Sequence, residues 1–209
     1  MESKGDLAFE SCFVFWSLRL FMSYGLSKDS QRHLKVLHIL LMTHVAPLIL
    51  QSIAKMCFQQ GKLVASFFFS QNASGHDNET RFISTIVYQL VLSIPKIKDA
   101  INKALQDDPL LLSQMLHVQV QSLITKPLND LLASSGELNG FQPPWPWFII
   151  VNSLDECGQA KNQRYVLDVL STVTRHLTYP LLFFIASWPE QVICDSFSEK
   201  SMCSITTRV

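Results

Sequence analysis

Asp155 and Glu156 stand side by side just beyond the apolar run Trp147-Phe148-Ile149-Ile150-Val151, separated from it by Asn152, Ser153 and Leu154. A buried strand that ends in carboxylates can carry an acid to a Mg²⁺ ion, while a neighbouring Glu orients the water that attacks a nucleotide phosphate. That is the layout of a Walker B element. The first position where such a strand would present its acid holds Asn152 instead, so the segment points to nucleotide-binding ancestry and questions the activity.

Other reactive side chains support weaker chemistries. Cys157 follows the two carboxylates, whose negative charge raises a thiol pKa and so disfavours a nucleophilic thiolate. His38, His44, His117 and His176 have no paired ligand spacing, and no metal site is expected. Trp145 and Trp147 flank Pro146, and packing against a sheet explains them better than an exposed recognition patch.

The elements that must position the acidic pair can be read from hydrophobic periodicity. Leu63 to Ser70, Phe148 to Val151 and Leu181 to Ala186 are nearly all apolar, as strands covered on both faces should be. Between them, Phe82, Ile83, Ile86, Val87, Leu90 and Val91 recur at helical spacing, with a start near Asn78 or Thr80 and a stop at Pro95. Ile97, Ile101 and Leu105 mark a second helix closed by Asp107-Asp108-Pro109, Leu123 to Leu132 a third, and Val166 to Leu177 a fourth. Ser134 to Pro146 reads as the clearest loop. Three buried strands separated by helices predict a parallel α/β sheet.

Composition narrows the partners. Lysine plus arginine and aspartate plus glutamate each number 17 in 209 residues, so there is no net charge and no basic stripe to hold a nucleic acid. Cys12, Cys57, Cys157, Cys194 and Cys203 are irregularly spaced, which suggests a reduced, cytoplasmic protein without structural zinc. Asn72-Ala73-Ser74 and Asn78-Glu79-Thr80 fit the glycosylation acceptor pattern, which matters only in a secreted chain. Phe13 to Phe21 is apolar but lacks a convincing cleavage site, so no signal peptide is expected. Val36 to Ala54 contains no charged residue and is long enough to cross a bilayer. His38, His44, Pro47 and Gln51 dilute it, and a buried strand followed by a helix is the expectation rather than a membrane span.

The order Ser66-Phe67-Phe68-Phe69-Ser70, Asp77-Asn78-Glu79-Thr80-Arg81, Tyr88-Gln89-Leu90, Leu154-Asp155-Glu156-Cys157 and Ile185-Ala186-Ser187-Trp188-Pro189-Glu190 resembles the NACHT nucleoside-triphosphatase domain. The nearest type is the fungal nephrocystin-3-like N-terminal domain, with similarity over about Gln51 to Arg208. The resemblance implies a P-loop NTPase-like parallel sheet flanked by helices, incomplete at both ends, with residues 1–42 a divergent segment and 43–209 a partial domain. It also implies a signal-transduction protein that works through protein partners.

Carried over residue by residue, the family's machinery fails in three places. Its phosphate loop should precede the helix containing Gln51-Ser52-Ile53-Ala54-Lys55-Met56-Cys57, where Thr43-His44-Val45-Ala46-Pro47 offers neither glycine nor lysine, and Pro47 lacks an N–H. The Gly61-Lys62 pair is no substitute, because a strand follows it. The Mg²⁺-side acid corresponds to Asn152, whose amide keeps an oxygen but loses the charge a hard cation favours. The sensor position that usually holds Arg holds Trp188, which cannot neutralise a γ-phosphate. Asp155 and Glu156 match and are expected as a remnant on a solvated loop. The expectation is therefore a catalytically inactive domain with an interaction or regulatory role and no cofactor. The alternatives are a domain binding ATP or GTP with Mg²⁺, whose phosphate loop was lost to an exon-boundary error, and a membrane-tethered adaptor.

Overall fold

Phe148 and Ile150 face one side of a strand while Trp147, Ile149 and Val151 face the other, and all five are buried. This is period-two alternation with no solvent side, which requires cover on both faces of the sheet. The computed structural model describes residues 36–40, 46–135, 147–178, 181–204 and 206–208. Among them the chain forms strand β1 (Val36–Leu40), helix α1 (Ala46–Gln59), strand β2 (Leu63–Phe68), helix α2 (Phe82–Ser93), helix α3 (Lys98–Asp107), helices α4 (Leu116–Val120) and α5 (Lys126–Ser135), strand β3 (Trp147–Asn152), helix α6 (Ala160–His176), strand β4 (Leu181–Ser187), helices α7 (Gln191–Ser198) and α8 (Lys200–Cys203), and strand β5 (Thr206–Arg208).

The strands form one sheet in the order β2-β3-β4-β1-β5, with every pair parallel. The apolar runs expected as strands are β2, β3 and β4, and the strand expected within Val36 to Ala54 is β1. Among the described residues the sheet has five strands, because β1 and the short β5 join these three. Val36 to Ala54 therefore divides into a strand and most of a helix, and no helix among the described residues is long and apolar enough to cross a membrane.

Two cores cover the two faces. Leu50, Ile53 and Cys57 of α1 pack on Phe148, Ile150, Phe184 and Ala186. The larger core joins Ile83, Ile86 and Leu90 of α2, Val166, Val169 and Val173 of α6, and Ile193 and Phe197 of α7 to Phe67, Ile149, Val151 and Ile185. Local signals set the helix limits. Gly61, at φ +65, lets the N–H of Lys62 reach Cys57 O at 2.9 Å and its own N–H reach Phe58 O at 2.9 Å, a Schellman stop that assigns the Gly61-Lys62 pair to a helix end. Asn78 caps a single 3₁₀ turn, Glu79–Arg81, by accepting the Thr80 N–H, so α2 begins at Phe82, and Pro95 opens a new turn after it ends. The third helix expected from Leu123 to Leu132 is longer than its stripe, running from α4 through a π turn at Gln121–Thr125 into α5. Ser134 and Ser135, read from sequence as loop, belong to its last turn. The rest of that loop lies outside the described residues.

From β1 the chain runs through α1 toward β2 at one edge, and from β4 through α7 toward β5 at the other. Open α/β sheets bind ligands at the carboxyl ends of their strands.

Candidate functional site at the carboxyl edge of the sheet

Asn152 is the last residue of β3, paired with Phe68 across the ladder and only 4% exposed. Its backbone oxygen accepts the N–H of Phe69 at 3.0 Å. Among the described residues its side-chain Oδ1 is buried with no hydrogen-bond partner. The chain then turns sharply, because Ser153 adopts φ 54 and ψ 45, left-handed values that cost a β-carbon roughly 1 kcal/mol. That turn starts the 3₁₀ segment Leu154–Glu156, closed by Glu156 N–H to Ser153 O at 2.8 Å, and separates the two carboxylates.

Both carboxylates meet backbone rather than open solvent. Asp155 Oδ1 accepts the N–H of Trp188, after β4, at 2.9 Å. Glu156 Oε2 accepts the N–H of Gln71, after β2, at 3.1 Å. Each acid is half-buried and accepts a hydrogen bond from a different neighbouring loop. Burial pushes the Asp155 carboxyl above the usual range, opposed by the Trp188 N–H and its own backbone N–H, and assisted by the nearby charges of Glu156 and Glu190.

Residues that motif reading passed over complete the arrangement. Gln163, in the first turn of α6, donates from Nε2 to Asp155 O at 2.9 Å, and its Oε1 is a second buried acceptor without a partner. Asn162 Nδ2 donates to Glu79 Oε2, tying α6 to the turn before α2. Gly158, at φ +46, passes close to Asp77, where a Cβ would lie 3.4 Å from Asp77 O. Beneath them Cys157 is buried, and burial with the charges of Glu79 and Asp77 pushes its thiol up to about 12, so it is no nucleophile at neutral pH. The missed residues had one visible signal, the polar positions Asn162 and Gln163 at the start of an otherwise apolar helical stripe.

The other predicted positions divide clearly. Trp188 is beside Asp155, but the contact is through its peptide N–H, and the residue is 43% exposed. Ala46 and Pro47 lie inside the first turn of α1 rather than before it, and residues 41–45 lie outside the described region. Among the described residues no group of three or more His, Cys, Asp or Glu could hold a metal ion. His117 Nε2 lies 3.1 Å from Asp168 Oδ2, and His176 Nδ1 bonds Thr172 O at 2.8 Å. Asn78, the second glycosylation candidate, has its amide nitrogen donating to Asp77 Oδ1 at 3.0 Å.

Among the described residues the strand end offers a neutral buried amide oxygen, the adjacent acid has one carboxylate oxygen on a peptide N–H, and Pro47 lacks an N–H in the first turn of α1. Residues 47–187, spanning α1 to the end of β4, match the family model described as nephrocystin 3, N-terminal. No curated protein matches the chain.

Proposed function

The chain belongs to the nephrocystin 3 N-terminal family, and from that membership we propose that it is a NACHT-like signalling domain, of the type carried by fungal receptor-like proteins, whose hydrolytic site has become structural. It acts as an interaction or regulatory module in the cytoplasm and does not hydrolyse nucleotide. One observation carries this reading: Asp155 and Glu156 are each held by the backbone N–H of a neighbouring loop. Asn152 and Trp188 agree with it, because neither supplies the charge that phosphate transfer requires. The deciding experiment pairs calorimetry with Mg²⁺-ATP and Mg²⁺-GTP with a phosphate-release assay on the full chain. No turnover above buffer is expected. Hydrolysis that disappears in Glu156→Gln would overturn the proposal.

A second reading is favoured by the position of β1. It is flanked by β4 and β5 and is followed in the chain by α1, the strand-then-helix order on which phosphate loops are built. On that reading ATP or GTP binds weakly without being cleaved. Heat of binding without phosphate release would support it, and a flat titration at millimolar nucleotide would remove it.

A further inference from the structure

Among the described residues strand β2 is at the edge of the sheet, with β3 on its inner side. From Leu63 to Phe69 its sequence, Leu-Val-Ala-Ser-Phe-Phe-Phe, has no charge, proline or glycine. Such a segment pairs readily with the edge of another chain when its backbone groups are open. Here they are closed by side chains. The N–H of Ser66 donates to Gln89 Oε1 at 2.8 Å, and Gln89 Nε2 donates to Ser66 O at 2.8 Å. One primary amide thus supplies the acceptor and donor that the peptides of a neighbouring strand would supply. On either side, Ser93 Oγ donates to Val64 O at 2.9 Å and His76 Nδ1 bonds Phe68 O at 2.9 Å. Val64, Ser66 and Phe68 alternate along the strand, as the residues whose backbone groups face away from β3 must.

We propose that Gln89, flanked by Ser93 and His76, is a side-chain surrogate for a neighbouring strand and keeps β2 from pairing with β2 of a second copy of this chain. The surroundings make such a lock necessary. Tyr88 and Leu92 on α2 are 66% and 63% exposed, and Phe68 is 40% exposed. An opened edge would therefore offer unpaired backbone groups bordered by apolar side chains, on a strand that can meet its own copy about a two-fold axis as an antiparallel pair. This lock is independent of whether nucleotide binds.

The test compares the full-length protein with Gln89→Ala by light scattering across a concentration series and by hydrogen exchange at the Ser66 amide. At low concentration that amide should exchange about tenfold faster in the variant, which lacks the bond that protects it. As concentration rises, the variant should form dimers or larger species at concentrations where the wild type does not. Adding Phe68→Lys should reverse the association, because a lysine on an exposed edge opposes strand pairing. If Gln89→Ala does not fold, Gln89→Asn withdraws the amide by one methylene and is judged by the same readouts. A variant that exchanges Ser66 quickly yet associates no more than wild type overturns the proposal. So does association that persists with Phe68→Lys, since it must use another surface.

Discussion

Asp155 Oδ1 accepts the peptide N–H of Trp188 at 2.9 Å, which joins the loop after β3 to the loop after β4. Because the donor is backbone, any residue except proline at position 188 can make the bond. The tie therefore makes no demand on the side chain at position 188 beyond excluding proline. At Asp155 the acceptor oxygen makes the tie, and the bond favours the ionised carboxyl while burial disfavours it.

The charge of Asp155 has a cost that pH exposes. Its carboxyl is raised above the ordinary range chiefly by burial, so the folded chain holds this proton more tightly than the unfolded chain does. The stability contributed by that proton is complete below the unfolded carboxylate pKa and is lost as pH rises through the folded one. Asp155→Asn keeps an oxygen for the Trp188 N–H but cannot ionise. Thermal melts from pH 4 to pH 8 should show this variant gaining on the wild type as pH rises, while Asp155→Ala, which lacks the acceptor, falls by about 1–2 kcal/mol at neutral pH. A difference between wild type and Asp155→Asn that does not change with pH would contradict the assignment.

Asn152 buries an acceptor with no partner, so its oxygen contributes nothing to offset its desolvation. Asn152→Leu, nearly the same shape, should hold stability within about 1 kcal/mol or raise it. Asn152→Asp should lower it by roughly 1–3 kcal/mol near neutral pH and recover as acid neutralises the buried group. Repeating the melts with Mg²⁺-ATP adds the functional readout. If the Asp variant gains a ligand-dependent rise in midpoint that the wild type lacks, Asn152 is the residue that disarmed the site.

The uncharged runs of β3 and β4 were legible because both faces are buried, which makes composition alone sufficient, and β2 shares the apolar run although Phe68 at its end is exposed. The stripe of α2 and its stop before Pro95 were legible because 3.6-residue periodicity and a missing N–H are local properties. β1 was harder. Its five residues run toward a helix through more apolar sequence, and its membership in the sheet depends on pairing with β4 and β5, far away in the chain. The acidic pair was visible, but the roles of its two members were not. Gln71 and Trp188 reach Glu156 and Asp155 through peptide N–H groups, which carry no signature in residue type. Gln89 was visible only as part of a resemblance, and its double bond to Ser66 needed coordinates.

Ser153 tests whether the turn after β3 is strained. At φ 54 a glycine is relieved of its β-carbon clash but loses more entropy on folding, so Ser153→Gly should raise stability by about 0.5–1 kcal/mol. Ser153→Val, branched at the β-carbon, should lower it by more than about 1 kcal/mol. Denaturant unfolding of both variants checks the sign. A glycine variant less stable than wild type would mean that the serine side chain stabilises the turn by more than the strain it carries.

The thiols give a map of what the fold seals. Burial raises Cys57 to about 11, with Lys62 opposing, and burial with Glu79 and Asp77 raises Cys157 to about 12. Both are buried, Cys57 on the sheet-facing side of α1 and Cys157 at the end of the 3₁₀ turn that carries Asp155, whereas Cys203 is exposed and Cys194 partly so. Alkylation by iodoacetamide requires thiolate and access together. At pH 8, among the four cysteines in the described residues, the native protein should label at Cys203 first and Cys194 more slowly, while Cys57 and Cys157 stay unmodified until denaturant is added. Peptide mass mapping over time separates the four. The two buried thiols should also differ from each other, because Cys157 depends on the loop ties made by Asp155 and Glu156. The double variant Asp155→Ala, Glu156→Ala should therefore speed labelling of Cys157 without changing Cys57. Equal acceleration at both positions would point to global loosening and remove the local role assigned to the carboxylates.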